Sequence, residues 1–233
     1  MLPHWDTVIE PLLTALDRGP IVEIGAATGE TTSKLIELAC RRNLVIHTID
    51  PAPDFSPSEL EQRFGQHFHF HRGRSHDVLG DIGLPAAAII DGDHNWYTVH
   101  GELTLLDGLA TEQNGPFPLV MLHDVEWPYA RRDMYYEPEA IPEQWRKPWA
   151  KRGFVRGEPG LAENGEGTNA QFANALEEGG PRNGVLTAVE DFVAERTEQL
   201  ELRIVRGGCG IGVLVSPGLL ASSERVRMRW EEL

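Results

Sequence analysis

The sequence predicts an α/β fold, a mainly parallel β-sheet with helices on both faces. Two observations predict it. Strand-length apolar runs alternate with stretches of helical periodicity up to residue 124, and those runs are apolar nearly throughout rather than at every second position. A continuous apolar run belongs to a strand covered on both sides, the usual condition of a parallel sheet. A chain of 233 residues is long enough to bury one large core, so residues 1–233 are expected to form a single domain.

The elements follow in order. Residues 5–18 place Val8, Leu12, Leu13 and Leu16 near one face of an amphipathic helix. PIVEIG (20–25) is a short apolar strand that stops at a glycine, and ETTSKLIELACRR (30–42) is a helix closed by basic residues that suit its dipole. NLVIHTID (43–50) is the second strand, ended by Asp50 and the breaker run PAPDFSP, and SELEQRFG (58–65) is a short helix. HFHFHRG (67–73) is the third strand and AAAIIDGD (86–93) the fourth; YTVHGELTLLDGL (97–109) is a helix and FPLVMLHD (117–124) the fifth strand. Residues 127–183 break the alternation with Pro, Gly, Glu and aromatics, and a loop that long is usually functional or disordered. Regularity returns with a helix in NGVLTAVEDFVAER (183–196) and with LELRIVRGGCGIGVLVSP (200–217), which reads as two strands about a glycine turn.

Composition excludes some partners. A formal net charge of −15 repels phosphate backbones and anionic lipid, so neither nucleic acid nor a membrane is expected. No apolar run approaches a membrane span of about 18 residues, and the first residues lack a basic-then-apolar leader. Cys40 and Cys209 match no metal or redox spacing. They are expected to be buried thiols in a reducing, cytoplasmic setting.

Chemistry concentrates where strands end. VEIGAATGETT carries Glu23, Gly25 and Gly29 just before a helix. In an open parallel sheet this first strand–helix turn binds the ligand. The spacing differs from the G-x-G-x-x-G of a dinucleotide loop, which disfavours a dehydrogenase. Asp50 ends the second strand 21 residues after Gly29, where an acid accepts hydrogen bonds from ribose hydroxyls. The fourth strand ends in Asp91, Asp93 and His94, and the fifth in His123 and Asp124. Adjacent strands lie about 5 Å apart, so both groups can reach one cation. Oxygen ligands suit Mg²⁺, and a neutral histidine beside them can take a proton near pH 7.

VEIGAATGETT resembles the acid-x-G-x-x-x-G loop of class I S-adenosylmethionine-dependent methyltransferases. The resemblance implies a Rossmann-like fold with a seven-stranded, mainly parallel sheet closed by a C-terminal antiparallel hairpin. It implies S-adenosylmethionine as cofactor, held around Glu23, Gly25, Ala26, Gly29, Thr31 and Asp50, with Ser75 of the GRS turn (73–75) near the adenine and Asp91 at its border. The acids and histidines resemble the metal-dependent O-methyltransferases, in the branch of the macrocin and mycinamicin sugar methyltransferases. That likeness implies His94 as the base and Asp91 and Asp124 as ligands of a divalent cation such as Mg²⁺. His123 stands where the branch has a first acid and is a possible further ligand. The implied partners are a small-molecule acceptor, a sugar hydroxyl, and a second copy of the chain in a homodimer.

Other residues admit plainer readings. Asp93 is either a partner of the site or a helix N-cap. His100 is a surface residue. His67, His69 and His71 alternate onto one face of an edge strand, where imidazoles discourage edge pairing. In WPYARRDMYYEP, Trp127, Tyr129 and Arg131 are candidates for an acceptor wall or lid over the crevice, the alternative being a packed surface loop. Two other functions stay open: a metal-independent methyltransferase acting on nitrogen or another nucleophile, and a non-catalytic module that binds the cofactor.

Overall fold

The computed structural model describes residues 1–17, 19–163 and 166–233. A short 3₁₀ turn (Leu2–His4) and a π-helical stretch (Trp5–Ile9) run into α1 (Glu10–Ala15), so helical structure begins before the expected residue 5 and ends at Ala15, short of the expected residue 18, with Leu16 extended. The expected last residue, Arg18, lies outside the described residues. There follow β1 (Ile21–Ile24), α2 (Glu30–Arg42), β2 (Ile46–Ile49), α3 (Pro57–Phe64), β3 (Phe68–His71), α4 (Ser75–Ile82), β4 (Ala87–Ile90), α5 (Trp96–Glu112) and β5 (Leu119–His123). Within 127–183 lie β6 (Met134–Tyr135), β7 (Trp149–Lys151) and β8 (Ala173–Ala175). The chain closes with α6 (Val185–Glu195), β9 (Glu201–Val205), β10 (Ile211–Val215), α7 (Pro217–Ser222) and α8 (Glu224–Glu231).

The main sheet has seven strands in the order β3-β2-β1-β4-β5-β10-β9. β1 to β5 pair in parallel, and β10 runs antiparallel to both β5 and β9. This is the expected sheet with its closing hairpin. Alternation along the strands divides the core in two. Ile21, Ile46, Ala87 and Met121 face one side with Leu12, Leu35 and Val226, so α1, α2 and α8 cover it. Val22, Ile49, Ala88 and Leu122 face the other with Leu79, Leu103 and Phe192, so α4, α5 and α6 cover that. The central strands β1, β4, β5 and β10 therefore need apolar residues at consecutive positions.

Strand order reverses at β1, whose neighbours are β2 and β4. Ligands of open α/β sheets bind beyond the carboxyl ends of the strands at such a point. Both cysteines depart from expectation. Cys40 is exposed on α2, turned away from buried Leu38 and Ala39, and Cys209 is half-buried; both are free thiols. β3 is an edge strand, and its two histidines share the expected face, His69 and His71 both lying against His47 of β2 with ring centres 5.3 and 5.2 Å away. His67 precedes it, buried against the Leu44 carbonyl (2.8 Å), while His71 meets His47 of β2 ring to ring (2.9 Å). Among the described residues no helix is long and apolar enough to cross a membrane.

Candidate active site

The glycine loop leaves β1 under tight constraint. Gly25 has φ +85°, and a Cβ there would lie 2.4 Å from the Asp91 carbonyl oxygen and 2.4 Å from Gly92 Cα. Only glycine lets the loop pass that close to the exit of β4. Gly29, at φ +78°, caps α2. Asp50 holds the loop from β2: its Oδ2 accepts from the N–H groups of Ala26 (2.8 Å) and Ala27 (3.0 Å), and its Oδ1 from Ala52 (2.7 Å). Gly25, Ala26, Thr31 and Asp91 line one cavity of about 290 Å³, close to the lower end of small-molecule sites.

Two predicted cofactor residues turn inward. Glu23 is buried in β1, where its Oε2 accepts from the hydroxyls of Thr32 (2.7 Å) and Thr48 (2.8 Å). Burial pushes its carboxyl up to about 7 against those hydrogen bonds. Ser75 opens α4, and its hydroxyl donates to Oε1 of Glu102 on α5 (2.5 Å). Burial pushes Glu102 up to about 8, and nothing in the sequence set that acid apart.

The acids and histidines meet as the strand ends predict. Ile90 pairs with Leu122 across β4 and β5, which brings Asp91 and His123 side by side. His123 Nδ1 lies 3.2 Å from Asp91 Oδ1 and 2.9 Å from Asp124 Oδ2, and His94 Nε2 lies 2.8 Å from that same Asp124 oxygen. Asp124 holds a left-handed φ of +60°, a conformation Asp tolerates better than most residues. Burial would lower His123, but hydrogen bonds to Asp124 and Asp91 outweigh it and push the imidazole up to about 10. Burial would raise Asp124, yet the two histidines hold it well below the usual carboxylate range. His94 is raised because Asp124, Asp91 and Asp93 together overcome its burial.

Asp93 is not the helix cap. Asn95 is, accepting from Thr98 N–H (2.9 Å), while Asp93 accepts from the Asn95 amide (2.6 Å) and the Thr98 hydroxyl (3.1 Å) and so steadies the His94 turn. Nor is His100 a plain surface residue: it is half-buried, stacked on Trp96 with ring centres 4.5 Å apart.

The described residues of the 127–183 stretch, 127–163 and 166–183, form a wall beside this cluster rather than an unstructured loop. β6, β8 and β7 make a three-stranded antiparallel sheet. Met134 N–H donates to the His94 carbonyl (3.0 Å), which pins the wall to the histidine turn. Asp133 accepts from the N–H groups of Trp96 (2.8 Å) and Gly184 (2.6 Å), tying it to the starts of both α5 and α6. Tyr129 is buried with its ring edge toward His94 at 5.2 Å, and Trp127 packs on Phe154. Arg131 does not face the cluster, because Glu190 of α6 takes its guanidinium through two hydrogen bonds (2.5 and 2.7 Å). Tyr136 is the residue that sequence reasoning missed. It is 57% exposed, 6.0 Å from His94 and 5.6 Å from Phe172. Strand alternation was its signal, since Tyr135 turns inward to Asp133 and Tyr136 must turn out.

No protein-family profile and no curated protein matches the chain by sequence. Solved structures do match by shape. The S-adenosylhomocysteine-bound methyltransferase PaMTH1 of Podospora anserina is 15% identical, over 88% of this chain and 76% of that one, with a TM-score of 0.51. The 1,6-didemethyltoxoflavin-N1-methyltransferase of Burkholderia thailandensis is 12% identical over 91% and 79% (TM-score 0.48). The precorrin-6y C5,15-methyltransferase of Geobacter metallireducens is 10% identical over 88% and 85% (TM-score 0.46). At such identities the likeness to PaMTH1 establishes the fold, a Rossmann-like methyltransferase fold, and nothing finer.

Proposed function

We propose that the protein is an S-adenosylmethionine-dependent O-methyltransferase, acting with a divalent cation on a hydroxyl of a sugar or glycosylated small molecule. One observation carries this reading: Asp91 belongs to two places at once. It lines the cavity of the glycine loop and sits 3.2 Å from His123 in the acid–histidine cluster. A methyl donor in that cavity is therefore next to the groups that would bind and deprotonate an acceptor, the proximity that methyl transfer needs.

In this reading the backbone around Gly25, Ala26, Gly29 and Thr31 holds the amino-acid end of the cofactor. Asp50 fixes that loop and accepts from the ribose, Ser75 borders the adenine, and Glu23 supports the loop from beneath. Asp91, His123 and Asp124 suit a dication, since their ligand atoms lie within 4.8 Å of one another and two carboxylate charges balance it. Mg²⁺ is the ion the resemblance implies. A cation bound there would lower the pKa of the acceptor hydroxyl and orient its oxygen. His94, whose Nε2–H donates to Asp124 Oδ2 (2.8 Å), is the base and would take the proton at Nδ1. Trp127, Tyr129 and Tyr136 form the acceptor wall, which Arg131 braces through Glu190.

A second reading has its own observation. His94 Nε2 and Asp124 Oδ2, 2.8 Å apart, make a histidine–carboxylate pair that orients the imidazole without any ion, which suits metal-independent transfer to oxygen or nitrogen. The test is release of S-adenosylhomocysteine from S-adenosylmethionine with a panel of glycosides, with and without EDTA. Release that EDTA abolishes, and that His94→Gln cuts by about 10²- to 10⁴-fold, is the expected result. Turnover indifferent to EDTA favours the second reading, and no turnover with any glycoside rules out the sugar acceptor.

A further inference from the structure

His123 is held from both sides. Its Nε2 lies 2.8 Å from the Gly208 carbonyl oxygen, in the turn between β9 and β10. A carbonyl only accepts, so Nε2 carries a ring hydrogen. Nδ1 donates to Asp91 Oδ1 (3.2 Å) and Asp124 Oδ2 (2.9 Å), and an ion bound between these groups would displace that proton and take the Nδ1 lone pair. A histidine whose far nitrogen donates to a backbone carbonyl is in the orientation in which histidines bind metals. The carbonyl comes from a different element than the ligands, and Gly208 itself holds φ +52°, so the turn is shaped to present it.

We propose that this site takes a first-row transition ion in preference to Mg²⁺, and that His123 sets the choice. The proposal rests on the metal-assisted reading above. Mg²⁺ is a hard ion that favours oxygen in near-octahedral geometry and gives up water reluctantly. An imidazole in place of a carboxylate removes one anionic oxygen, which costs Mg²⁺ Coulomb attraction and offers a nitrogen it binds poorly. Mn²⁺, Fe²⁺ and Zn²⁺ accept imidazole and carboxylate together. One nitrogen and two carboxylates form the donor set here, with all ligand atoms within 4.8 Å of one another.

The experiment titrates the whole protein with MnCl₂ and with MgCl₂ by calorimetry and records pulsed EPR of the Mn²⁺ form. Wild type, His123→Glu and His123→Asn are compared, and S-adenosylhomocysteine titrations show whether each variant keeps its fold. The expected results are ¹⁴N coupling to Mn²⁺ in wild type that is absent in His123→Glu, and a Mn²⁺/Mg²⁺ affinity ratio about tenfold lower in that variant. An affinity ratio unchanged in His123→Glu, or ¹⁴N coupling that survives there, overturns the proposal and leaves metal assistance standing. Failure of wild type to bind either ion overturns both, and S-adenosylhomocysteine binding then preserves the methyltransferase reading.

Discussion

Gly25→Ala is the substitution whose cost the structure specifies best. Two terms add. A non-glycine residue at φ +85° carries left-handed strain of about 1–2 kcal/mol. The new Cβ would also meet the Asp91 carbonyl oxygen and Gly92 Cα, both at 2.4 Å, and these are backbone atoms that cannot swing aside. Overpacking of that kind costs about 1–3 kcal/mol, for a sum of about 2–5 kcal/mol. Against a typical stability of about 5–15 kcal/mol, the variant folds but with a clear loss. Relief must come by pushing the exit of β4, and with it Asp91, away from the cavity. Urea unfolding measures the first effect: the midpoint falls by about 1 M or more while the slope m stays constant. Titration with S-adenosylhomocysteine measures the second, and affinity falls with the loop displaced. A midpoint and an affinity both equal to wild type would refute the reasoning.

Three further outcomes follow from single observations. Gly108 is exposed inside α5, and a Cβ added there would meet nothing within 4 Å, so Gly108→Ala should stabilise by about 0.8–1 kcal/mol, read as a higher thermal midpoint. Burial raises Glu23 to about 7, so the folded state binds its proton more tightly than the unfolded chain. Its contribution is present below about pH 4 and is lost as pH rises toward 7, by about 3 kcal/mol at most. Glu23→Gln should flatten that loss, and urea midpoints of both proteins at pH 5 and pH 8 check it. Tyr136→Ala should raise KM for the acceptor and leave S-adenosylhomocysteine affinity unchanged, with Tyr136→Phe close to wild type; steady-state kinetics with a turned-over glycoside decide it.

The parallel core was legible because β1, β4 and β5 are buried on both faces and write that into consecutive residues, as Val22 and Ile24 alternate with Ile21 across the two core clusters. The glycine loop and strand-end acids were legible because their spacing follows from where β1, β2, β4 and β5 stop. The short helix α4, with Gly80 inside it, gave too little periodicity to be read, and α7 and α8 are as brief. The sheet within 127–183 escaped because its strands have only two or three residues, and its anchors are distant in sequence. Arg131 was placed at the site for want of knowing that Glu190 lies against it. Alternation past Tyr135 sets Tyr136 apart, but that its face of β6 meets the site depends on the bridge from Met134 to His94, which lies outside any local pattern.

The most direct test of the central claim, that the loop beyond β1 holds S-adenosylmethionine, is calorimetric titration of S-adenosylhomocysteine into wild type and Asp50→Ala, with NAD⁺ as the competing ligand. Asp50 ties Ala26 and Ala27 in place through its Oδ2 (2.8 and 3.0 Å), so its removal should loosen the loop together with any ribose contact. The account predicts one S-adenosylhomocysteine per chain in wild type, markedly weaker binding in Asp50→Ala, and no binding of NAD⁺. Wild type that binds NAD⁺ and not S-adenosylhomocysteine, or S-adenosylhomocysteine binding indifferent to Asp50, would contradict it.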